Sequence, residues 1–561
     1  MSNLSNSIRH KRYRIKPGSS LELILELPTG QRLEIDVRDC SVFGLGGLCK
    51  CTEGPELLQE GEIVPQAKLV WGKDEYPLGR LVYRQTKTDK EGTFVGFSTV
   101  DQRVPLAGKM SRILEVDEMS DRMALPIEMN PEKFTLSAFT NVDEGNVDIF
   151  ARCRQFQVMY REWQRRPRFL YHTVRTPSKG TRVRLEHRRS SGSRDDYIIM
   201  GSNDYFGLAA HPEVIEAARK AIDEYGFGST GAPLSTGQTR YHDELSDYLA
   251  RMYRKDRCIL YNSGFSANIG SIPSLTGESD LILADMLCHA SIQDALGMSR
   301  AGCRFFKHNN MSHLEKLLKD KREDHSGCLL VTEGIFSMDG DTPPLDEFVE
   351  LARTYNARTF VDEAHSMGIC GPSGLGACDQ YGVTNDIDLI MGTFSKICGG
   401  IGGFVVGDRE VIEWLTFFSR SYMFSVTLPP STAAASLKAL QIVATEPNLR
   451  LNLKKNVEHF CDGLRRLGCP VSPDHQSSII PVEIGDEKKL GIMTKVLFES
   501  GVYVIPVVYP VVSRDRCRFR FTIMTNHTLS DLDYVLNILE KAMEKAEFRF
   551  AEIAAPRKRT S

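Results

Sequence analysis

The sequence contains no run of 18 apolar residues, and no apolar segment follows its basic N-terminus. Neither a membrane-spanning helix nor a secretory leader is therefore expected, and the expected location is the cytoplasm. No sign of charge dominates: 70 Lys and Arg against 73 Asp and Glu leave a formal net charge of -3, which argues against bulk nucleic-acid binding. No Cys-x-x-Cys pair occurs with a second half at zinc-site spacing. Fourteen cysteines are scattered through the chain, with Cys49 and Cys51 forming an isolated Cys-x-Cys, so reduced packing thiols and no metal site are expected. There is also no internal repeat, which excludes a solenoid or propeller.

What is present is length and an ordinary globular composition. A chain of 561 residues, 41% hydrophobic and 25% charged, is too long for one hydrophobic core and divides into domains. Leu33, Ile35 and Val37 alternate with Arg32, Glu34, Asp36 and Arg38, the period of a half-buried strand. Further short strands are read at Leu21 to Leu27, Lys68 to Trp71, Leu81 to Tyr83 and Thr93 to Phe97. Such spacing predicts a small all-β barrel over 1–118. A linker is expected over 119–144, where Met, Pro, Asn and Asp replace clear periodicity. From 145 to 548 strands alternate with longer helices, the signature of an α/β domain built on a mostly parallel sheet. Leu245, Tyr248, Leu249 and Met252 lie at helical spacing, as do Leu532, Val535, Leu536, Leu539 and Met543 behind an expected Ser530 cap. Residues 549–561 read as a basic tail.

In open α/β sheets, ligands collect beyond the carboxyl ends of the strands, so polar residues just after apolar runs come first. Cys258 to Tyr261 leads to Ser263, Gly264 and Phe265; Leu281 to Ala284 leads to Asp285 and His289; Leu329 to Thr332 leads to Glu333 and Ser337. Thr359 to Val361 ends in Asp362 with His365 beyond, and Leu389 to Met391 precedes Thr393, Ser395 and Lys396. Taken singly, Lys396 reads as a solvated lysine and each histidine as a satisfied partner of the core. Together they fit pyridoxal phosphate: a lysine for the aldehyde, a carboxylate for the pyridine nitrogen, and a helix N-terminus with hydroxyls for the phosphate.

Five motifs then resemble the α-oxoamine synthases, fold-type I pyridoxal-phosphate enzymes: Gly201-Ser-Asn-Asp-Tyr-Phe-Gly207, Ser263-Gly-Phe-Ser-Ala-Asn268, Thr332-Glu-Gly-Ile-Phe-Ser-Met-Asp-Gly-Asp341, Val361-Asp-Glu-Ala-His365 and Gly392-Thr-Phe-Ser-Lys396. The resemblance implies that Lys396 holds the cofactor and moves the Cα proton, that Asp362 pairs with the ring nitrogen, and that His289 stacks on the ring. It implies that His365 and Ser337 lie near the ring hydroxyl and that Ser263, Gly264, Phe265 and Thr393 hold the phosphate. Ser425 and Thr427 resemble positions that reach the phosphate across a homodimer interface. Arg518 and Arg520 both offer the bidentate fork a substrate carboxylate needs, and at i and i+2 on a strand they share a face. The family pattern favours Arg520 for the substrate carboxylate; Asn203, also assigned to substrate binding, and His242 fall at family motif positions.

The implied reaction joins an amino acid (serine, glycine or alanine) to an acyl thioester, carried on coenzyme A or an acyl carrier protein, with loss of carbon dioxide. Ser366, after Asp362-Glu-Ala-His365, is more like the serine palmitoyltransferases. An aminotransferase of the same fold is the alternative reading. In the first domain, basic residues including Arg9 and Arg14 precede Asp39-Cys-Ser41-Val-Phe-Gly44. That pairing resembles a PilZ barrel, which implies a cyclic di-GMP site at Arg9, Arg14, Asp39, Ser41 and Gly44. The usual Arg-x-x-x-Arg is one residue wider here. A third reading is a cyclic di-GMP receptor whose pyridoxal-phosphate half does not catalyse.

Overall fold

The computed structural model describes the strand residues between Tyr13 and Thr99, single positions between Phe150 and Tyr160, and residues 170–186, 196–509 and 511–552. Arg9, Ser41, the 119–144 linker and the tail beyond 552 lie outside the described residues. The chain divides into two compact units, Met1–Ala138 with Asp143–Met159, and Phe139–Val142 with Tyr160–Ser561.

Among its described residues the first unit contains seven antiparallel strands: β1 (Tyr13–Arg14), β2 (Leu21–Glu26), β3 (Arg32–Cys40), β4 (Gly44–Cys49), β5 (Ile63–Trp71), β6 (Asp74–Asp89) and β7 (Gly92–Thr99). They pair in the order β1-β3-β2-β5-β6-β7-β4, and β4 also pairs with β3, so β2 to β7 form a cycle of pairings. Ile35 and Val37 are buried, as are Leu23 and Leu25, as the alternation in β2 and β3 requires. β6 runs much further than Leu81 to Tyr83. Its register shifts between Tyr83 and Gln85, and a bulge of this kind lets a strand continue through residues that read as turn signals. β4 is rich in glycine, which hid it from pattern reading.

The first described strands of the second unit are the short β8 (Val174–Arg175), β9 (Arg182–Val183), β10 (Leu185–Glu186) and β11 (Tyr197–Ile199). Its centre is a seven-stranded sheet of β12 (Arg257–Tyr261), β13 (Leu281–Asp285), β14 (Gly302–Phe306), β15 (Cys328–Glu333), β16 (Arg358–Asp362), β17 (Leu389–Thr393) and β18 (Gly403–Gly407). The order is β12-β18-β17-β16-β15-β13-β14, and only β18 runs antiparallel to its neighbours. Both faces are covered. Leu283, Leu330, Val361 and Ile390 enter one apolar cluster, while Ile282, Leu329, Phe360 and Met391 enter another. Strands buried on both sides read as continuous apolar runs, which is why their ends were legible.

A smaller sheet sets β22 (Arg518–Thr522) antiparallel between β19 (Ile479–Glu483) and β21 (Pro506–Val507), and β20 (Val502–Tyr503) runs parallel beside β11. Four helices matter below: α1 (Arg240–Tyr253), α2 (Gly264–Leu275), α3 (Ala290–Met298) and α4 (Leu529–Lys545). Leu245 and Leu249 of α1 are fully buried, with Tyr248 and Met252 packed at the edge. The expected Ser530 cap of α4 is corrected to Thr528. Thr528 Oγ1 accepts from Asp531 N and Asp531 reaches back to Thr528 N, a reciprocal box that leaves Ser530 inside the helix. The tail also starts later than 549, because Phe550 is buried and packs edge-on against Phe548. The described cysteines are all free, and most are buried.

Candidate active site

Adjacent strands deliver polar groups to the carboxyl edge of the central sheet. β13, β15, β16 and β17 end in Asp285, Glu333, Asp362 and Thr393, each no more than 4% exposed, and the parallel register sets Glu333 beside Asp362. Buried carboxylates need partners. Asp362 Oδ1 accepts from Ala364 N and Oδ2 from Asn268 Nδ2, both at 2.9 Å. Burial pushes its pKa up, while these bonds and the His289 and Lys396 charges oppose the rise. Glu333 accepts from His289 N, and burial followed by the Asp362 charge holds its carboxyl well above the usual range. One of two neighbouring carboxyls thus keeps its proton more readily than the other.

Lys396 lies in the turn after β17. Burial and then the Arg520 charge lower its pKa, against the pull of Asp362 and Glu333, so its amine loses a proton more readily than an exposed lysine. His365 is buried, and Tyr205 approaches its Nδ1 at 2.6 Å. Burial, with Lys396 and Arg520 nearby, pushes the imidazole well below its ordinary pKa, while burial pushes the Tyr205 phenol up to about 12. A phenol that keeps its proton can donate to a neutral imidazole at Nδ1, an arrangement that would leave the ring proton of His365 on Nε2.

Both arginines belong to β22, and their surroundings differ. Arg518 is 1% exposed, and its Nη1 donates to Asp339 Oδ1 at 2.9 Å and Met338 O at 3.0 Å, with Nη2 3.4 Å from Glu483 Oε2. That guanidinium is committed to holding a loop. Arg520 is only half-buried; its Nε donates to Ser337 O at 2.6 Å and its Nη1 approaches Asn203 Oδ1 at 3.3 Å. The structure thus brings Arg520, Asn203, Ser337, Lys396 and His365 together and leaves Arg518 outside.

Ser263 caps α2, its Oγ accepting from Ser266 N at 3.0 Å, which leaves the Gly264 and Phe265 N–H groups at the open first turn. A Cβ on Gly264 would lie 3.1 Å from the Thr393 side chain, and one on Gly403 would lie 2.7 Å from the Gly264 backbone. Only glycines allow β18 and the Thr393 hydroxyl to close around that turn. His289 caps α3 and meets the Phe265 ring edge-on at 6.2 Å. Ser425 Oγ accepts from Asn262 Nδ2 at 2.7 Å, beside Ser263, and Thr427 Oγ1 donates to Gly231 O at 3.1 Å. His242 is fully buried, bridging Thr239 and Leu428 O, and does not join the site. The amine, the paired carboxylate and the glycine-walled helix N-terminus fit pyridoxal phosphate.

The structure adds three features that sequence reading did not supply: the surroundings of Ser366, the partners of Tyr205 and Asn268, and His308. Ser366 is fully buried and donates to Glu363, so it faces the core rather than a substrate, and its likeness to serine users has no contact behind it. Tyr205 and Asn268 lie inside recognised motifs, but only their long-range partners give them a role. The third is His308, whose ring nitrogens donate to Asp285 Oδ1 at 3.0 Å and Asp341 Oδ2 at 2.9 Å. Burial alone lowers its pKa, but the two carboxylates outweigh this and raise it from 6.5 to about 10. A histidine with a raised folded pKa contributes stability that is complete below the unfolded value and fades as pH climbs through the folded one. Thermal stability should therefore fall between about pH 6.5 and 10, and His308→Gln should flatten that slope and cost about 3 kcal/mol at neutral pH. Melting curves of both proteins across this range provide the check. An equal slope in the variant would assign the pH dependence elsewhere.

The sequence model of the aminotransferase class I and II family matches residues 195–539. The chain is 35% identical over 426 residues to the 4-hydroxy-2,2'-bipyrrole-5-methanol synthase PigH of a Serratia species, spanning 75% of this chain but 64% of that protein. It is 39% identical over 344 residues to the 8-amino-7-oxononanoate synthase of Treponema denticola, covering 61% of this chain and 87% of the relative. Serine palmitoyltransferase of Sphingomonas wittichii has a similar structure, with a TM-score of 0.66 and 30% identity over 71% of this chain and 99% of that one. The chain belongs to the aminotransferase class I and II family, as a pyridoxal-phosphate-dependent acyltransferase of the α-oxoamine synthase type.

Proposed function

We propose that this chain joins an amino acid to an acyl thioester, releasing free thiol and carbon dioxide and leaving an α-amino ketone. The observation that carries the reading is the meeting of Lys396, Asp362 and His365 at the edge of the central sheet with Arg520 from the smaller sheet, while Arg518 is withdrawn into a loop clamp. Bound pyridoxal phosphate supplies an aldehyde for the amino group and a protonated ring that draws electrons from the Cα bond. Arg520 holds the substrate carboxylate through its planar fork, with Asn203 alongside. Lys396, its basicity reduced by burial and Arg520, takes the Cα proton and returns one to the product. His365 offers its Nε2 proton to the ring hydroxyl, and His289 covers the ring.

The acyl donor is an acyl-coenzyme A or acyl carrier protein thioester, and the amino acid is serine, glycine or alanine. The enzyme acts as a homodimer in which Ser425 and Thr427 approach the partner's cofactor phosphate. Exposed Phe424 and Val426, on either side of Ser425, support a partner-facing segment. The test is incubation with each proteinogenic amino acid and a panel of both thioester types, following thiol, carbon dioxide and product mass. Equal release of thiol and carbon dioxide with an amino ketone is expected. Formation of an oxoacid without thiol release would identify an aminotransferase instead.

For the first unit the proposal is a PilZ-like barrel over 1–118 that binds cyclic di-GMP through Arg9, Arg14, Asp39, Ser41 and Gly44 and alters synthase activity. The backbone register sets Arg14 directly opposite Asp39, and β4 begins at Gly44, which supports grouping Arg14, Asp39 and Gly44 at one edge; Arg9 and Ser41 lie outside the described residues. A hydrogen bond to a charged group is worth about 1.5–3 kcal/mol, so Arg14→Ala should weaken binding about 10- to 150-fold by calorimetry. Absence of binding to the intact chain at micromolar protein would reduce the unit to a docking module.

A further inference from the structure

Asn268 is fully buried in α2, and its Nδ2 is the only part of the side chain that finds partners among the described residues. One N–H reaches Asp362 Oδ2 and the other Ser291 Oγ, both at 2.9 Å, while Oδ1 is buried without a partner. The amide cannot be reversed, because Oδ1 would then face the Asp362 carboxylate. Leaving an amide oxygen unsatisfied costs about 1–3 kcal/mol, which an apolar residue of similar volume would avoid. The cost is tolerated at a position whose two donors meet the carboxylate and a serine that leads to His289.

The second half of the network has a direction. Ser291 Oγ accepts from Asn268, so its own proton is free for His289 Nδ1 at 2.8 Å, where Ser291 N also points at 3.2 Å. His289 Nδ1 is then an acceptor, and its ring proton sits on Nε2. Asp362 ends β16 and His289 caps α3, and the Asn268 amide links them through Ser291. Resting on the reading that Asp362 faces the pyridine nitrogen, we infer that Asn268 is a positioning residue that holds Asp362 ionised for that nitrogen and, through Ser291, ties the His289 ring to the same frame.

The test uses the full chain loaded with pyridoxal phosphate labelled with 15N in the ring, and 15N-labelled histidine. Asn268→Asp keeps the shape while replacing the donor with a carboxyl, and Asn268→Ala removes the group; either reports if the other fails to fold. In both, the ring-nitrogen signal should move from the protonated toward the unprotonated position. The turnover number should drop about 10- to 150-fold, the loss of one hydrogen bond to a charged group. The KM for the amino acid should hold, because Arg520 is untouched. Ser291→Ala should shift only the His289 Nδ1 signal. Asp362→Asn separates the two claims. If it leaves the ring-nitrogen signal in place, the assignment of Asp362 falls. If it moves the signal while the folded Asn268 variants do not, the role of Asn268 alone falls.

Discussion

Lys396→Ala is expected to abolish both turnover and the yellow absorption of the cofactor-loaded protein. The chemistry needs one amine that bonds the cofactor aldehyde and, once displaced, moves the Cα proton. Among the described residues Lys396 is the amine we propose for both tasks: it lies in the turn after β17, its pKa is lowered by burial and Arg520, and the Asp362 and Glu333 carboxylates are close enough to oppose that shift. Removing a group that serves as both nucleophile and base should reduce the rate by at least about 10⁴-fold. Folding should survive, because the side chain is only partly buried. Absorption spectra and single-turnover assays of wild type and variant decide the matter. A variant that kept the resting spectrum and normal turnover would remove Lys396 from the mechanism.

Asp362→Asn should retain cofactor yet lose at least about 10³ in rate, roughly 4 kcal/mol of transition-state stabilisation. An amide preserves the volume at the end of β16 and can still meet Ala364 N. It cannot hold a pyridine nitrogen protonated, because it lacks the charge that favours the cationic ring. The Asn268 donor would also face an amide instead of a carboxylate, so the loss combines the missing charge with a weakened bond. Turnover numbers measured at saturating cofactor check this. A rate within tenfold of wild type would show that another group protonates the ring.

Much of the site was legible because a buried parallel strand leaves a local trace. Its residues are apolar on both faces, and its first polar residue lies at the carboxyl edge where ligands collect. That logic led to Asp362, Thr393 and Lys396, and the Phe-Val-Val run of β18 was lost only because glycines flank it. The α4 cap was ambiguous for a comparable reason: Thr528 and Ser530 are both good caps by type and each has an aspartate three residues on, but Asp531 pairs reciprocally with Thr528 while Asp533 is taken by the remote His459.

Strand geometry alone does not separate Arg518 from Arg520, since residues two apart share a face, and only the family pattern favoured Arg520. What distinguishes them is Asp339 and Glu483, remote in sequence, which engage Arg518 and leave Arg520 beside Asn203 and Ser337. Tyr205 and His365 are 160 positions apart, and Asn268 and Asp362 are 94 apart. The sequence by itself determined which chemical groups stand at the strand ends and in what order, because those follow from local hydrophobic pattern and chain direction. Only the tertiary structure decided which carboxyls and amines are buried, which polar partners each histidine meets and which arginine is tied into a loop, because these depend on burial and on partners from distant segments.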